Sequence, residues 1–170
     1  MMISLVALAM VLGACGPDEA GQTTTTRPES ASQGEAGTTE ILVRATMHLL
    51  TNDTTFAPGH VFGVVLVVDH LKDGTALTGD QIDALTTEIS DLSEVRFIPD
   101  QNDFITDDLR PTIDGAAIIT LGAPDIDGNE ATIDMEMWCG GLCGIWLTYA
   151  LEIGEAGWEV LGTVGPIAIS

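Results

Sequence analysis

The strongest constraint on the fold lies in the last third of the chain, where apolar and polar residues alternate. Between Ala131 and Trp138, the residues Ile133, Met135 and Met137 fall at every second position, with Asp134 and Glu136 between them. Successive side chains of a strand point to opposite faces, so this segment predicts a strand with one face in a core and the other wet or lining a pocket. Further apolar runs flank it, from Ala116 to Leu121, from Ile145 to Ile153 and from Trp158 to Leu161. Asp127-Gly128-Asn129 and Gly154-Glu155-Ala156-Gly157 supply turn chemistry between runs. An antiparallel meander is the expected outcome.

The segments before it mix helix and strand signals. Val61 to Leu71 is rich in β-branched residues and apolar at consecutive positions, as a strand covered on both faces requires. Thr78-Gly79-Asp80-Gln81 matches a capping box, in which the threonine hydroxyl and the glutamine side chain each satisfy an orphan backbone group. Ile82, Leu85, Ile89 and Leu92 then recur at helical spacing. Residues 41–50 fit both periods; a helix is favoured, with Thr38 or Thr39 as its cap. Asn52-Asp53-Thr54-Thr55 and Ala57-Pro58-Gly59 mark a loop. Val95 to Ile98 predicts a short strand, followed by a loop carrying Asp100, Asp103, Asp107, Asp108 and Asp114. The sum is an α+β domain, with one or two helices packed on a curved antiparallel sheet in a cystatin-like or NTF2-like manner.

The chain opens quite differently. Residues 2–12 are an apolar run, too short for the roughly 20 residues of a membrane-spanning helix but suited to the h-region of a secretory signal. Leu12-Gly13-Ala14-Cys15 follows, and it resembles the lipobox of bacterial lipoproteins. That resemblance implies cleavage before Cys15, lipid on its thiol and a cell-envelope protein anchored on the outer side of a membrane. No basic residue precedes Arg27, which points to a start upstream of Met1. Residues 16–39 hold no large apolar side chain and read as a flexible stalk, with a mean reach near 25 to 30 Å at about 5 to 6 Å times the square root of its length. The expected organisation is a signal peptide over 1–14, a lipid-anchored linker over 15–39 and a single domain over 40–170.

Charge narrows the partners. A net charge of −21, with Lys72 the only lysine and no basic residue after Arg110, repels phosphate backbones and excludes nucleic acid. Solubility explains such a surface, and attraction of cations or basic partners is the sharper alternative.

Trp138-Cys139-Gly140-Gly141-Leu142-Cys143-Gly144 is the most individual motif. Setting aside Cys15 leaves an even pair in an oxidising compartment, so Cys139 and Cys143 read as a disulfide stapling a tight hairpin. Zinc bound by both thiolates and two of His48, His60 and His70 is an alternative, as is a redox pair, although no helix follows the cysteines. Asp125 to Glu130 with Glu136 resembles a calcium loop but lacks its central glycine, and a polar turn is favoured. Asp69-His70 is the only neighbouring acid and histidine; on a strand the two would point apart, which favours a structural histidine. From Trp138 to Ser170 the chain resembles the C-terminal hairpin of small, uncharacterised exported bacterial proteins, a likeness that implies fold and assigns no catalytic residue.

The function expected is therefore a non-catalytic binding or interaction module with a protein or small-molecule partner and no cofactor. The alternative is a small exported hydrolase or isomerase with a cavity lined by Asp134, Glu136 and Tyr149.

Overall fold

The computed structural model describes residues 29–53 and 62–170, with side chains from Gly34 onward. The signal segment, Cys15 and His60 lie outside the described residues, as do the first part of the stalk and most of the 52–59 loop. In chain order the elements are α1 (Glu29–Asn52), β1 (Val64–Val68), α2 (Gly79–Ile89), β2 (Glu94–Ile98), a 3-10 turn (Gln101–Phe104), β3 (Ala116–Leu121), β4 (Asp125–Asp127), β5 (Glu130–Gly140), β6 (Cys143–Gly154) and β7 (Gly157–Ile169).

All seven strands join one sheet in the order β2-β1-β3-β5-β6-β7, with β4 continuing the line of β3 along β5. The sheet is mixed, which corrects the expectation of a purely antiparallel one. β1 runs parallel to both β2 and β3, and the antiparallel meander begins only at β3. The cause is connectivity. A parallel pair needs a crossover, and α2 supplies the one between β1 and β2. The next connection, residues 99–115, must pass back over β1 to reach β3.

These two crossovers lie on opposite faces, which is why β1 is buried throughout. Val65 and Val67 face the helices, packing with Leu85 and Ile89 of α2 and Ile41, Leu42, Ala45 and Leu49 of α1. Val64, Leu66 and Val68 face the other way, under Phe104, Ile105 and Ile113 of the connection. The acidic loop thus has an apolar underside and closes a second, smaller core. Both helix signals of α2 hold: Thr78 Oγ1 accepts from Gln81 N–H at 3.3 Å, and Gln81 Oε1 accepts from Thr78 N–H at 2.9 Å.

α1 departs from expectation in its start. Thr38 and Thr39 are not caps; they lie inside the helix, their hydroxyls donating back to the carbonyls of Gly34 and Glu35 at 2.9 and 3.0 Å. The helix begins at Glu29, within the segment read as stalk. Tertiary contact overrides the poor helix propensity of Gly34 and Gly37 here. Gly37 lies against the Trp158 indole, and the Glu40 carboxylate accepts the Trp158 backbone N–H at 3.1 Å.

The C-terminal strand is also longer than the run from Trp158 to Leu161 that signals it. β7 extends to Ile169 by passing two bulges, one at Leu161 and one spanning Gly165 to Ile167. Its later residues are exposed, so no buried alternation marks them.

Candidate functional site

The two faces of the sheet are covered unequally. On the helix side, odd-numbered residues of β5 and β6 are buried under α1: Ile133, Met135, Met137, Ile145, Leu147, Tyr149 and Leu151. On the outer side, the 99–115 connection covers β1, β3 and Trp138 of β5 and reaches the β5–β6 turn, leaving the face towards β4 and β7 open. The even-numbered residues of β5 and β6 therefore face outward, with Asp134 and Thr132 exposed and Glu136, Trp138, Trp146 and Thr148 half-buried.

This parity separates the trio expected to line one cavity. Tyr149 pairs with Ile133 across β5 and β6 and points into the helix-side core, while Asp134 and Glu136 point outward. The three side chains do not converge. Tyr149 instead donates its hydroxyl to Asp53 Oδ2 at 2.5 Å, and His48 Nε2 lies 3.6 Å from the same oxygen. The imidazole of His48 stands edge-on to the phenol ring, centroids 5.1 Å apart, and its Nδ1 is 3.3 Å from Asn52 Nδ2. Burial, the bond to Asp53 and the Asp53 charge, in that order, push the Tyr149 pKa well above the ordinary phenol range. The group ties the C-terminal end of α1 to β6. Sequence spacing gives no hint of it, since Asp53 and Tyr149 are joined only by the fold.

Two of the clefts on the outer face bear on these residues. One, of about 190 Å³, lies between Gln101 and Ile105 of the connection and Thr120, Glu136, Trp138 and Trp146 of the sheet. Glu136 pairs there with Lys72 at 2.7 Å. Trp146 folds back over Gly144, where any side chain would collide with its ring. The second cleft, of about 400 Å³, lies further along the same face between the β4–β5 hairpin and β7, lined by Asp125, Asp127, Glu130, Thr132, Ala150, Leu161 and Val164. Between the two clefts, Thr148 donates to Asp134 at 2.5 Å.

The other residues singled out from sequence are distributed as follows. Cys139 and Cys143 form a disulfide with Cα atoms 5.0 Å apart, across the bulge that closes β5 on β6. The two thiolates that the zinc alternative requires are thereby engaged with each other. A loop this short gives a modest chain-entropy gain, so Cys139→Ser/Cys143→Ser is expected to lower stability by about 2 kcal/mol. Unfolding of the oxidised and doubly substituted proteins in urea checks it; equal midpoints would refute the staple's contribution. Asp69 and His70 do meet, Oδ1 to Nδ1 at 3.0 Å, because β1 ends at Val68 and strand alternation no longer governs them. Asp127-Gly128-Asn129 is a hairpin turn, with Gly128 at φ 62°, and Glu136 belongs to the Lys72 pair rather than to that turn. Among the described residues, no group of three or more His, Cys, Asp or Glu side chains is placed to hold a metal ion.

No family model, no curated protein and no solved structure matches the chain. Function therefore rests on the site itself.

Proposed function

We propose that the chain is a cell-envelope lipoprotein, anchored through Cys15 on the outer side of a membrane, whose domain is a binding module. The open outer face of β4–β7 is its contact surface. One observation carries this reading: the helix face of the sheet is filled, whereas the outer face towards β4 and β7 is left open, with the exposed Leu161 and Val164 beside Asp125, Asp127 and Glu130. A sheet face that no element covers, carrying apolar groups beside polar ones, suits a partner surface. The meander against α1 supports the wrapped-sheet packing of cystatin-like or NTF2-like folds for that half of the molecule. Among the described residues, no helix is long and apolar enough to cross a membrane. The anchor in this reading is lipid attached at the lipobox-like Leu12-Gly13-Ala14-Cys15.

Cells making the full chain with a photo-crosslinking side chain at Thr148 or, as control, at Thr87 of α2 test both halves of the proposal. Labelling by a palmitate analogue is expected for the wild-type chain and lost in Cys15→Ser, and discrete adducts are expected from position 148 and not from 87. Equal labelling of wild type and Cys15→Ser refutes the anchor. Identical adduct patterns at the two positions, or none at 148, refute the binding face.

A further inference from the structure

Resting on that binding-face reading, the geometry points to a more definite partner: we infer that the cleft between the β4–β5 hairpin and β7 takes a polypeptide segment in which basic and apolar side chains alternate. Its two walls differ in chemistry. One wall is acidic: Asp125, Asp127 and Glu130 project from the hairpin, and none of the three makes an ion pair among the described residues. The other wall is apolar and exposed: Leu161 is 65% exposed and Val164 42%, on a strand whose only acid is Glu159. The position of Leu161 and Val164 opposite these carboxylates defines a ligand that is apolar on one side and cationic on the other.

The backbone of β7 specifies how such a segment engages. As the outermost strand, β7 presents an open edge, which would ordinarily invite another strand to add. Here two bulges and Pro166 interrupt that edge. Bulges and proline are the features that blunt edge pairing. The contact is therefore made by side chains lying across the outer face rather than by main-chain pairing. Leu161 is itself the bulged residue, displaced from the regular ladder so that it stands against the cleft. A second copy of this chain is a poor occupant, because no basic residue follows Arg110 and the matching face would bring carboxylates onto carboxylates.

Nonspecific attraction of any cation to a −21 chain is the effect to be separated. The larger cleft between α1 and α2, about 680 Å³, provides the internal control: it too has carboxylates, Asp83 and Glu88 among them, but Val43 is its only bulky aliphatic side chain. Calorimetric titration of the folded chain with short alternating Lys-Leu, Lys-Ser and Glu-Leu peptides makes the test. The Lys-Leu peptide is expected to bind at least about tenfold more tightly than Lys-Ser, and Glu-Leu not at all. The charge-neutral pair Leu161→Ser/Val164→Ser should remove that tenfold advantage, which corresponds to about 1.4 kcal/mol. Asp125→Asn/Asp127→Asn should weaken Lys-Leu binding more than Asp83→Asn/Glu88→Gln, which removes the same charge elsewhere. Equal affinities for Lys-Leu and Lys-Ser, no effect of the Leu161/Val164 pair, or equal losses from the two charge pairs would each overturn the inference. Failure here with position-148 adducts intact would leave the binding face standing and remove only this partner.

Discussion

Above about pH 10 the protein is expected to lose stability steadily, by about 1.4 kcal/mol for each further pH unit, while its phenol stays protonated in the native state. Tyr149 is the only tyrosine in the chain, so a tyrosinate signal reports this one ring. In the fold the ring is fully buried and its hydroxyl donates to Asp53, an arrangement that burial and the neighbouring carboxylate both oppose converting to phenolate. In the unfolded chain the same group ionises near pH 10. A folded pKa raised above the unfolded one gives a contribution fully present below pH 10 and lost as pH rises past it, amounting to about 3 kcal/mol by pH 12. The near-ultraviolet band of tyrosinate is expected to appear together with loss of the circular-dichroism signal, not before it. Tyr149→Phe should cost about 1 to 2 kcal/mol at neutral pH, by leaving Asp53 with one donor fewer, yet lose the alkaline slope. A tyrosinate band that rises near pH 10 in a chain still folded would show that Tyr149 is not held as described.

That polar group also shows where sequence reasoning stops. The strands β3, β5 and β6 were legible because each has a buried face, and alternation in β5 records burial directly: Ile133, Met135 and Met137 are all in the core. The capping box and the disulfide were legible for a similar reason, since their partners lie within a few residues of one another. Long-range relations left no such mark. Whether β1 pairs in parallel with β3 depends on the path of the 99–115 connection, and its apolar underside of Phe104, Ile105 and Ile113 is diluted among five aspartates in the sequence. Asp134, Glu136 and Tyr149 were grouped on chemistry, but one odd number among two even ones on facing strands, paired in this register, puts Tyr149 on the other side of the sheet. For the candidate site the consequence is direct. The acids of the outer face were visible as residues, whereas Leu161 and Val164 became part of the site only through the bulges that place them against the cleft.

The start of α1 is the clearest case of packing deciding against composition, and it yields the second large effect. Nothing between Gly34 and Thr39 carries a large apolar side chain, yet the segment is helical because β7 offers Trp158 as a platform and Glu40 reaches across to the turn that precedes it. Gly157, in that turn, has φ 104°, a left-handed value that costs a side-chain-bearing residue about 1 to 3 kcal/mol. A β-carbon there would also overlap the Glu40 carboxylate and push it off the Trp158 N–H. The half-buried hydrogen bond to a charged acceptor adds a further loss on the order of 1 to 2 kcal/mol. Gly157→Ala is thus expected to destabilise the domain by about 2 to 5 kcal/mol, whereas Gly128→Ala, at φ 62° in the open β4–β5 turn with nothing near its β-carbon, should cost about 1 kcal/mol. Combining Gly157→Ala with Glu40→Ala separates the two components, because the overlap disappears while the backbone strain remains. The double variant should lose less than the sum of the single losses. Strict additivity, measured by urea unfolding of all four proteins in the cycle, would mean that Glu40 and the turn do not touch, and that α1 is held to the sheet by its apolar face alone.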